Sequence, residues 1–557
     1  MTTQSDFLGF AETCEKIGAT RSKLEKVSIL SNYLRALSSE EDIKIAVTFL
    51  SGRVFPPGEN DREANVGYSI LWRAISEMTG LTDRDLSKHY LNHGDLGDVF
   101  AEVLSNRDAK NQLFQMLERD KLSLELVFKG FQDLSKAIGK NALTRKKKVL
   151  QRIFSLISNP LEGKYIIKIL AGEMRIGMVE GLAEESIAKS YSKTLEEIRQ
   201  ANLLIANPGK VAILAKSDRL AEARLEPLHP TNFMLASSAS DSFDLSSKFK
   251  MMPVFVEYKY DGIRVQAHKL GREVKLFSRN LADITKFFPE IESSLGTVEG
   301  SSLILDGEII AFQNGEPLPF QMLQRRLRKL SRSSSDAPIR YFVFDLLEKG
   351  SSLIETPFLE RIKALRALKL PEIISFSEQK LVSTPEGIQE MFDRSKELGY
   401  EGLVAKDPAS FYSPGKRGNS WVKLKKELDT LDVVIVAAEY GHGKRAGVIS
   451  DYTFAVRDGS DLRVVGKAYS GLNDEEINEM TLLLKSITIK DLGYRRTVTP
   501  QVVLEVAFDA IQRSARHDSG YALRFPRIKR IRNDKSVTEI DSLERVRKIY
   551  EGQKIRI

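Results

Sequence analysis

The chain has 557 residues, of which 42% are hydrophobic and 29% charged, with 36 Gly and 18 Pro; at about 150 residues per domain this predicts three or four domains and excludes a single small module, a disordered chain and a collagen-like one. Lys and Arg number 84 against 76 Asp and Glu, a formal charge of +8, which favours polyanionic partners, nucleic acid or nucleotide first. One cysteine, Cys14, excludes a disulfide framework and a cysteine-rich structural zinc site.

The opening MTTQSDFLGFAETCEK lacks a basic segment followed by an apolar core, and no stretch approaches the ~18 apolar residues of a membrane helix. The expectation is a soluble, cytoplasmic protein with no membrane segment. From about residue 5 to 220, apolar residues recur at helical spacing, as in Leu24, Val27, Leu30, Leu34 and Leu37, so the region reads as all-α. Thr82 with Asp85 and Thr194 with Glu197 have the spacing of capping boxes. No repeat at solenoid spacing is present.

Between residues 226 and 253 the texture changes. Pro227, Pro230 and Pro253 bracket SSASDSFDLSS, which reads as a linker or an exposed loop. Short β-type runs follow, VFVEYKY, IRVQAHK, LILDGEIIAF and IRYFVFDLL, with a helical segment at Ile388 to Leu398; residues 254 to 425 are therefore α+β. Beyond Lys426 come DVVIVAAEY, YTFAVRDG, LRVVGKAY and VVLEVAFD, with one helix around Asp474 to Lys485. Five or so strands with an interposed helix predict a small OB-type barrel. The expected domains are 1–220, 221–426 and 427–557.

Lys259 closes the run VEYKYDGIR and is followed by Asp261 and Gly262. Alone, Lys-x-Asp-Gly is a β-turn with a solvated lysine. It is succeeded, in order, by SRN at Ser278 to Asn280, LDGEIIAF at Leu305 to Phe312, FVFDLL at Phe342 to Leu347, EGLVAK at Glu401 to Lys406, WVKLK at Trp421 to Lys425 and the basic RFPRIKRIRNDK at Arg524 to Lys535. This ordered set, over about half the chain, resembles the covalent nucleotidyltransferases, and among them the ATP-dependent DNA ligases of the archaeal and eukaryotic replicative type. The helical N-terminal part resembles that family's DNA-binding domain.

The resemblance implies Lys259 as the nucleophile toward the α-phosphate of ATP. A lysine attacks phosphorus only as the free amine, and neighbouring cations such as Arg264, Lys423, Lys425 and a metal lower its affinity for a proton. By the same resemblance Glu257 would accept from the adenine amino group, Arg264 and Arg279 would contact ribose or phosphate, and Phe344 would stack on the purine. Glu308 would hold the ribose or a metal, and Glu401 would be the metal-linked carboxylate. Arg417, Lys423 and Lys425 would lie near the α-phosphate. The family's late basic motif acts when its barrel swings over the nucleotide, which makes Arg524, Arg530, Arg532 and Lys535 candidates for orienting pyrophosphate. The implied cofactors are ATP and Mg²⁺ or Mn²⁺, since Mg²⁺ is held by one or two carboxylates with water and phosphate.

LEGKYIIKILAGEMRIGM at Leu161 to Met178 resembles the segment with which these ligases grip the duplex, offering Lys164, Lys168 and Arg175 for phosphates and Gly163, Gly172 and Gly177 for close approach. NQLFQM at Asn111 to Met116 is similar to the peptides that dock on sliding clamps, although an amphipathic helical turn is the commoner reading. The expected activity is nick sealing in duplex DNA by a monomer, through a lysyl-AMP and a DNA-adenylate, in replication, repair and recombination. Two other readings are a non-catalytic DNA-binding scaffold of the same fold and an RNA ligase or mRNA guanylyltransferase. The intact Lys259, Glu308, Glu401, Lys423 and Lys425 speak against the first and the long helical part against the second.

Overall fold

In the computed structural model, which describes residues 6–58, 64–108, 121–318, 320–328, 337–425, 429–441, 445, 447–493 and 495–553, the helical periodicity before residue 220 is realised as α1 (Phe7–Ala19), α2 (Lys23–Ala36), α3 (Glu40–Leu50), α4 (Tyr68–Thr79), α5 (Asp83–His93), α6 (Leu96–Asp108), α7 (Leu124–Lys136), α8 (Ala142–Phe154), α9 (Pro160–Ala171), α10 (Glu180–Ser190), α11 (Leu195–Ile205) and α12 (Pro208–Lys216). Residues 111–116, the candidate clamp peptide, lie outside the described residues. Among the described residues no helix is long and apolar enough to cross a membrane.

Local chemistry sets these helices. Thr194 and Glu197 form the expected capping box at the start of α11. Around α9, Asn159 and Glu162 form a second box, Pro160 stands in the first turn, and Gly172 ends the helix at φ +71°. Gly163 lies against Phe100 and Leu104 of α6, where a Cβ would come within 2.8 Å of a Leu104 methyl.

The serine-rich stretch expected as a linker or exposed loop is instead ordered, as β1 (Leu235–Ala239) and α13 (Ser242–Ser247). Serine is tolerated because β1 is an edge strand with its residues only partly buried. Asp241 caps α13 by accepting from the Asp244 amide at 2.8 Å.

The α+β region follows as β2 (Val254–Lys259), β3 (Ile263–Leu270), β4 (Glu273–Ser278), α14 (Pro289–Gly296), β5 (Ser302–Gln313), β6 (Glu316–Pro317), α15 (Phe320–Arg328), β7 (Ile339–Lys349), α16 (Phe358–Arg366), β8 (Ile374–Phe376), β9 (Gln379–Val382), α17 (Pro385–Glu397), β10 (Gly402–Lys406) and β11 (Arg417–Lys425). They build two sheets, ordered β1-β11-β10-β2-β9 and β4-β3-β5-β7-β8, with β6 beside β5. One core lies between the second sheet and α14 and α16, around Leu276, Phe288, Leu305, Tyr341 and Phe358. Another gathers Val254, Val256, Leu403 and Val422 with Ile388 and Met391 of α17. The chain divides into two compact units, and all these elements except α5 belong to the first, which comprises Met1–Asp83 and Leu96–Lys425.

The second unit comprises Arg84–Asp95 and Lys426–Ile557. It holds β12 (Asp429–Tyr440), β13 (Ile449–Asp458), β14 (Asp461–Ala468), α18 (Asp474–Ser486), β15 (Thr488–Asp491), β16 (Arg495–Val498), β17 (Val503–Phe508), β18 (Ala510–Arg513), β19 (Tyr521–Arg524), β20 (Arg527–Ile531) and α19 (Leu543–Gly552). β12 is its hub, pairing with β13, β16 and β17, while β18 and β19 form a separate hairpin. The strand-rich fold is as expected. The five strands beyond the four quoted runs are short, and three of them, TIKD, RRTV and RIKRI, are largely polar.

Arg361 and Asp345 are both fully buried and joined by two hydrogen bonds of 2.7 and 2.9 Å, and Arg361 also donates to the carbonyls of Thr356 and Ser410. Arg361→Met removes one charge and leaves Asp345 unpaired, which is expected to destabilise the first unit by about 3–5 kcal/mol. A calorimetric melt checks this, and an unshifted transition contradicts it.

Candidate active site

A cavity of about 480 Å³ opens between the two sheets of the first unit, a volume suited to a small organic ligand. Strand order builds its chemistry. Because β2, β10 and β11 are neighbours, the register sets Glu257 beside Val404 beside Lys423, and Lys259 beside Gly402 beside Lys425. The Glu401 amide donates to the Lys259 carbonyl at 3.0 Å, which fixes the two residues backbone to backbone. The Lys259 ammonium then donates to Glu401 Oε2, and Lys425 pairs with Glu401 Oε1. Burial alone would raise the Glu401 carboxyl, but Lys259 and Lys425 hold it below its usual value.

The other wall comes from the second sheet. Arg264, on β3 opposite Glu308 of β5, makes a two-pronged contact with buried Asp306 at 3.1 and 2.7 Å and donates to the Met234 carbonyl at 2.7 Å. Its guanidinium lies 5.0–5.5 Å from the ring centroids of Phe233, Phe344 and Trp421. The Tyr412 hydroxyl donates to Asp306 at 2.8 Å, so the arginine is locked. Glu308 has been pushed up to about 8 by burial, with Lys259 and Arg264 opposing the shift.

The structure thus brings together Glu257, Lys259, Arg264, Arg279, Glu308, Phe344, Glu401, Arg417 and Lys423 around one cavity, with Lys425 tied to it through Glu401. Phe344 is wall and core at once, 8% exposed and packed with Ile304 and Trp421. Lys423 titrates below its ordinary value through burial and the neighbouring Lys425, Lys259, Arg417 and Arg279. Burial is the larger cause, and the four neighbouring cations add to it, a setting for polyphosphate.

Arg524, Arg530, Arg532 and Lys535 belong to the second unit. There Arg524 donates to Gln512, Arg530 pairs with Glu505, and Arg532 and Lys535 pair with Asp432.

Lys164 and Lys168 lie on α9 and Arg175 just beyond it, and all three are paired within the first unit. Lys164 pairs with Glu15 and Asp98, and Lys168, 5% exposed, pairs with Asp98 at 3.2 Å. Arg175 pairs with Glu173. The two lysines face helices α1 and α6 rather than solvent, because the acids that neutralise them are far away in sequence. The glycines there are likewise used internally, Gly163 against α6 and Gly177 beside the Lys26 ammonium.

Four polar residues of the site carried no role in the sequence reading. Asp306, Gln379, Lys406 and Tyr412 are seen only once the strands are assembled. The available signal was a charged residue inside an apolar strand motif, Asp306 in LILDGE and Lys406 closing EGLVAK.

Three family models match the chain, described as DNA ligase N terminus over residues 6–188, ATP dependent DNA ligase domain over 233–425 and ATP dependent DNA ligase C terminal region over 445–535. A protein of Koribacter versatilis named "Probable DNA ligase" is 42% identical, across 98% of this chain and 96% of its own. One of Methanothrix thermoacetophila named "DNA ligase" is 37% identical, across 99% of both, and one of Archaeoglobus fulgidus with the same name is 33% identical, across 98% and 99%. The solved structure called Pmar-Lig_PreS3 superposes with a TM-score of 0.58 at 18% identity, covering 94% of this chain and 99% of that one, which shows a shared fold.

Gly262, in the cavity wall, lies close against the backbone of β5. A Cβ there would overlap the Ile309 carbonyl and come within 2.6 Å of Ile310, so Gly262→Ala must displace the turn that carries Lys259. Such overpacking is expected to destabilise the first unit by about 1–3 kcal/mol. A calorimetric melt of the variant checks this, and a transition at the wild-type temperature contradicts it.

Proposed function

The chain belongs to the ATP-dependent DNA ligase family, and on that premise we propose that Lys259 is its adenylated nucleophile and that the other cavity residues divide the remaining work. The Lys259 amine attacks the α-phosphorus of ATP. A nitrogen–phosphorus bond forms, the α–β anhydride breaks, and pyrophosphate leaves with the bonding electrons. An oxygen of the nick's 5′-phosphate then takes the adenylyl group and the lysine amine departs. Finally the 3′-hydroxyl attacks that 5′-phosphate, joining the strand and releasing AMP.

The observation that carries this reading is the cationic crowd of Lys259, Lys423, Lys425, Arg279 and Arg417 around one cavity, reflected in the depressed Lys423. Such a site stabilises the charge on the transferring phosphoryl group and the leaving pyrophosphate. Glu401 Oε2, kept ionised by Lys259 and Lys425, orients the Lys259 amine in the cavity. Glu257 takes the adenine amino group, Phe344 the purine face, and Arg264 and Arg279 the ribose and phosphates. Arg264 reaches that role already fixed by Asp306.

The donor set fits a divalent cation. Glu308 and Glu401 line the cavity from opposite sheets, and Glu308 is a buried carboxyl whose raised proton affinity shows that its protein cations do not fully compensate it. Mg²⁺ or Mn²⁺ would be held by these two carboxylates and would neutralise phosphate charge. To Arg524, Arg530, Arg532 and Lys535 we assign the orienting of pyrophosphate. Release of Arg530 from Glu505 costs little, since the arginine is 62% exposed and such pairs contribute about 0–1 kcal/mol. We propose the division 1–220 for duplex binding, 221–426 for adenylation and 427–557 for the barrel, acting as a monomer.

Intact-protein mass spectrometry tests the nucleophile. After pyrophosphate strips any adduct, ATP with Mg²⁺ should add one AMP to the wild type and none to Lys259→Ala; equal labelling of both proteins rules Lys259 out. Duplex binding should weaken steeply with salt. Because Lys168 is already paired with Asp98, Lys168→Met should lower the melting temperature while changing the slope of log affinity against log salt by much less than the ~1 expected of a phosphate contact. A slope change near one would restore Lys168 to the interface.

A further inference from the structure

We propose that Lys406, buried behind the cavity, determines which purine the site accepts, by holding Glu257 as an anion whose oxygens can only accept hydrogen bonds. The inference rests on the reading above that Glu257 meets the nucleobase. Lys406 does not line the cavity. It acts through Glu257 and is therefore a positioning residue.

Lys406 ends β10 with 1% of its side chain exposed. Its ammonium lies 2.7 Å from Glu257 Oε1, 4.2 Å from the ring centroids of both Phe344 and Trp421, and 3.3 Å from the Phe344 carbonyl. The second oxygen, Glu257 Oε2, accepts from Gln379 Nε2 at 2.7 Å. Asp345 is the neighbouring acid, and Arg361 neutralises it. Tyr260, the other titratable group at this point, is held protonated by burial. Among the described residues, the ion pair of Glu257 is with Lys406.

Burial drives both partners toward their neutral forms, raising Glu257 and lowering Lys406, and each opposes the other's shift. The pair is therefore mutually dependent. Without the ammonium, a carboxylate only 3% exposed has a neutral amide alone to support it and takes up a proton.

That proton changes what Glu257 can recognise. Adenine carries a donor amino group at position 6, whereas guanine carries an acceptor carbonyl there. Ionised Glu257 accepts from the first and repels the second. A protonated carboxyl donates through its O–H and can satisfy the guanine carbonyl. Sites built around one hydrogen-bonding polarity reject the opposite one strongly, because a buried polar group is otherwise left unpaired.

The test measures the rate of nucleotide adduct formation at Lys259 with ATP and with GTP, each with Mg²⁺, by intact-protein mass spectrometry. Wild type should prefer ATP by at least about 10²-fold. Lys406→Met should reduce that ratio by about tenfold or more, through a slower ATP reaction and a faster GTP one, whereas Lys406→Arg, which keeps the charge, should stay within about threefold of the wild-type ratio. A ratio unchanged in a folded Lys406→Met protein, with both nucleotides slowed alike, overturns the proposal and leaves Lys406 a packing residue. If Lys406→Met does not fold, Lys406→Gln, neutral but still a hydrogen-bond donor, carries the same expectation. Glu257→Gln separates the two layers: an unchanged ratio there refutes the placement of the base at Glu257, while a changed ratio there with an unchanged one in the Lys406 variants refutes the role of Lys406 alone.

Discussion

The bridge Lys259–Glu401–Lys425 is the constraint on which the cavity depends. Three lysines, Lys259 on β2 and Lys423 and Lys425 on β11, flank β10, and their mutual repulsion in a partly buried site has to be offset. Glu401 does this between two of them at once, and its amide is pinned to the Lys259 carbonyl. The strand order β11-β10-β2 makes this possible, because it places the acid at the start of the central strand with a lysine strand on either side. Any other order would leave either a lone acid or a lysine pair without an anion. The cavity is thus preorganised for a polyanion while remaining neutral enough to fold.

The opposite sheet obeys a different electrostatic rule. Arg264 is fully compensated by Asp306, yet two residues farther along β5 Glu308 is left with burial as its dominant influence. Like-charged neighbours Asp306 and Glu401 add to that bias. The cavity thus sets an uncompensated carboxyl on one sheet against a cluster of cations on the other, the kind of perturbed pairing found at functional sites.

What was legible in the sequence follows from the range of the interactions. The all-α character of the first 220 residues and the long strands were readable because their burial is periodic along a few turns or residues, and the cavity residues because their motifs occur in a fixed order. The short polar strands of the second unit were not, since RRTV and RIKRI owe their pairing to β12 and β17 rather than to a pattern of their own. SSASDSFDLSS was misread because composition reports exposure, whereas an edge strand is stabilised by backbone hydrogen bonds to β11 that any side chain permits. The partners of Lys164 and Lys168 were hidden for a related reason. A basic helix face is solvated or internal according to what packs on it, and Glu15 and Asp98 lie about 150 and 70 residues away. Lys406 was hidden because an isolated lysine in EGLVAK has no meaning until β10 is set beside β2 and Glu257 comes within 2.7 Å.

The same long-range logic joins the helical part of the first unit to its cavity. The segment leading into β1 is gripped twice by β3: Gln266 accepts from the Thr231 amide and donates to its carbonyl, and Arg264 donates to the Met234 carbonyl. From the other side Thr231 donates to Leu203 and Asn232 to Asn202, both on α11. His268, held to about 3 by burial, stays neutral next to Gln266 and so adds no charge to this junction. The Tyr412 hydroxyl completes the link by accepting from the Met234 amide while it donates to Asp306. The buried polar network that fixes Arg264 is therefore continuous with the one that sets the helical part against β3. Gln266, Arg264 and Tyr412 bond the same short segment, so the position of the arginine and the seating of the helices are determined together.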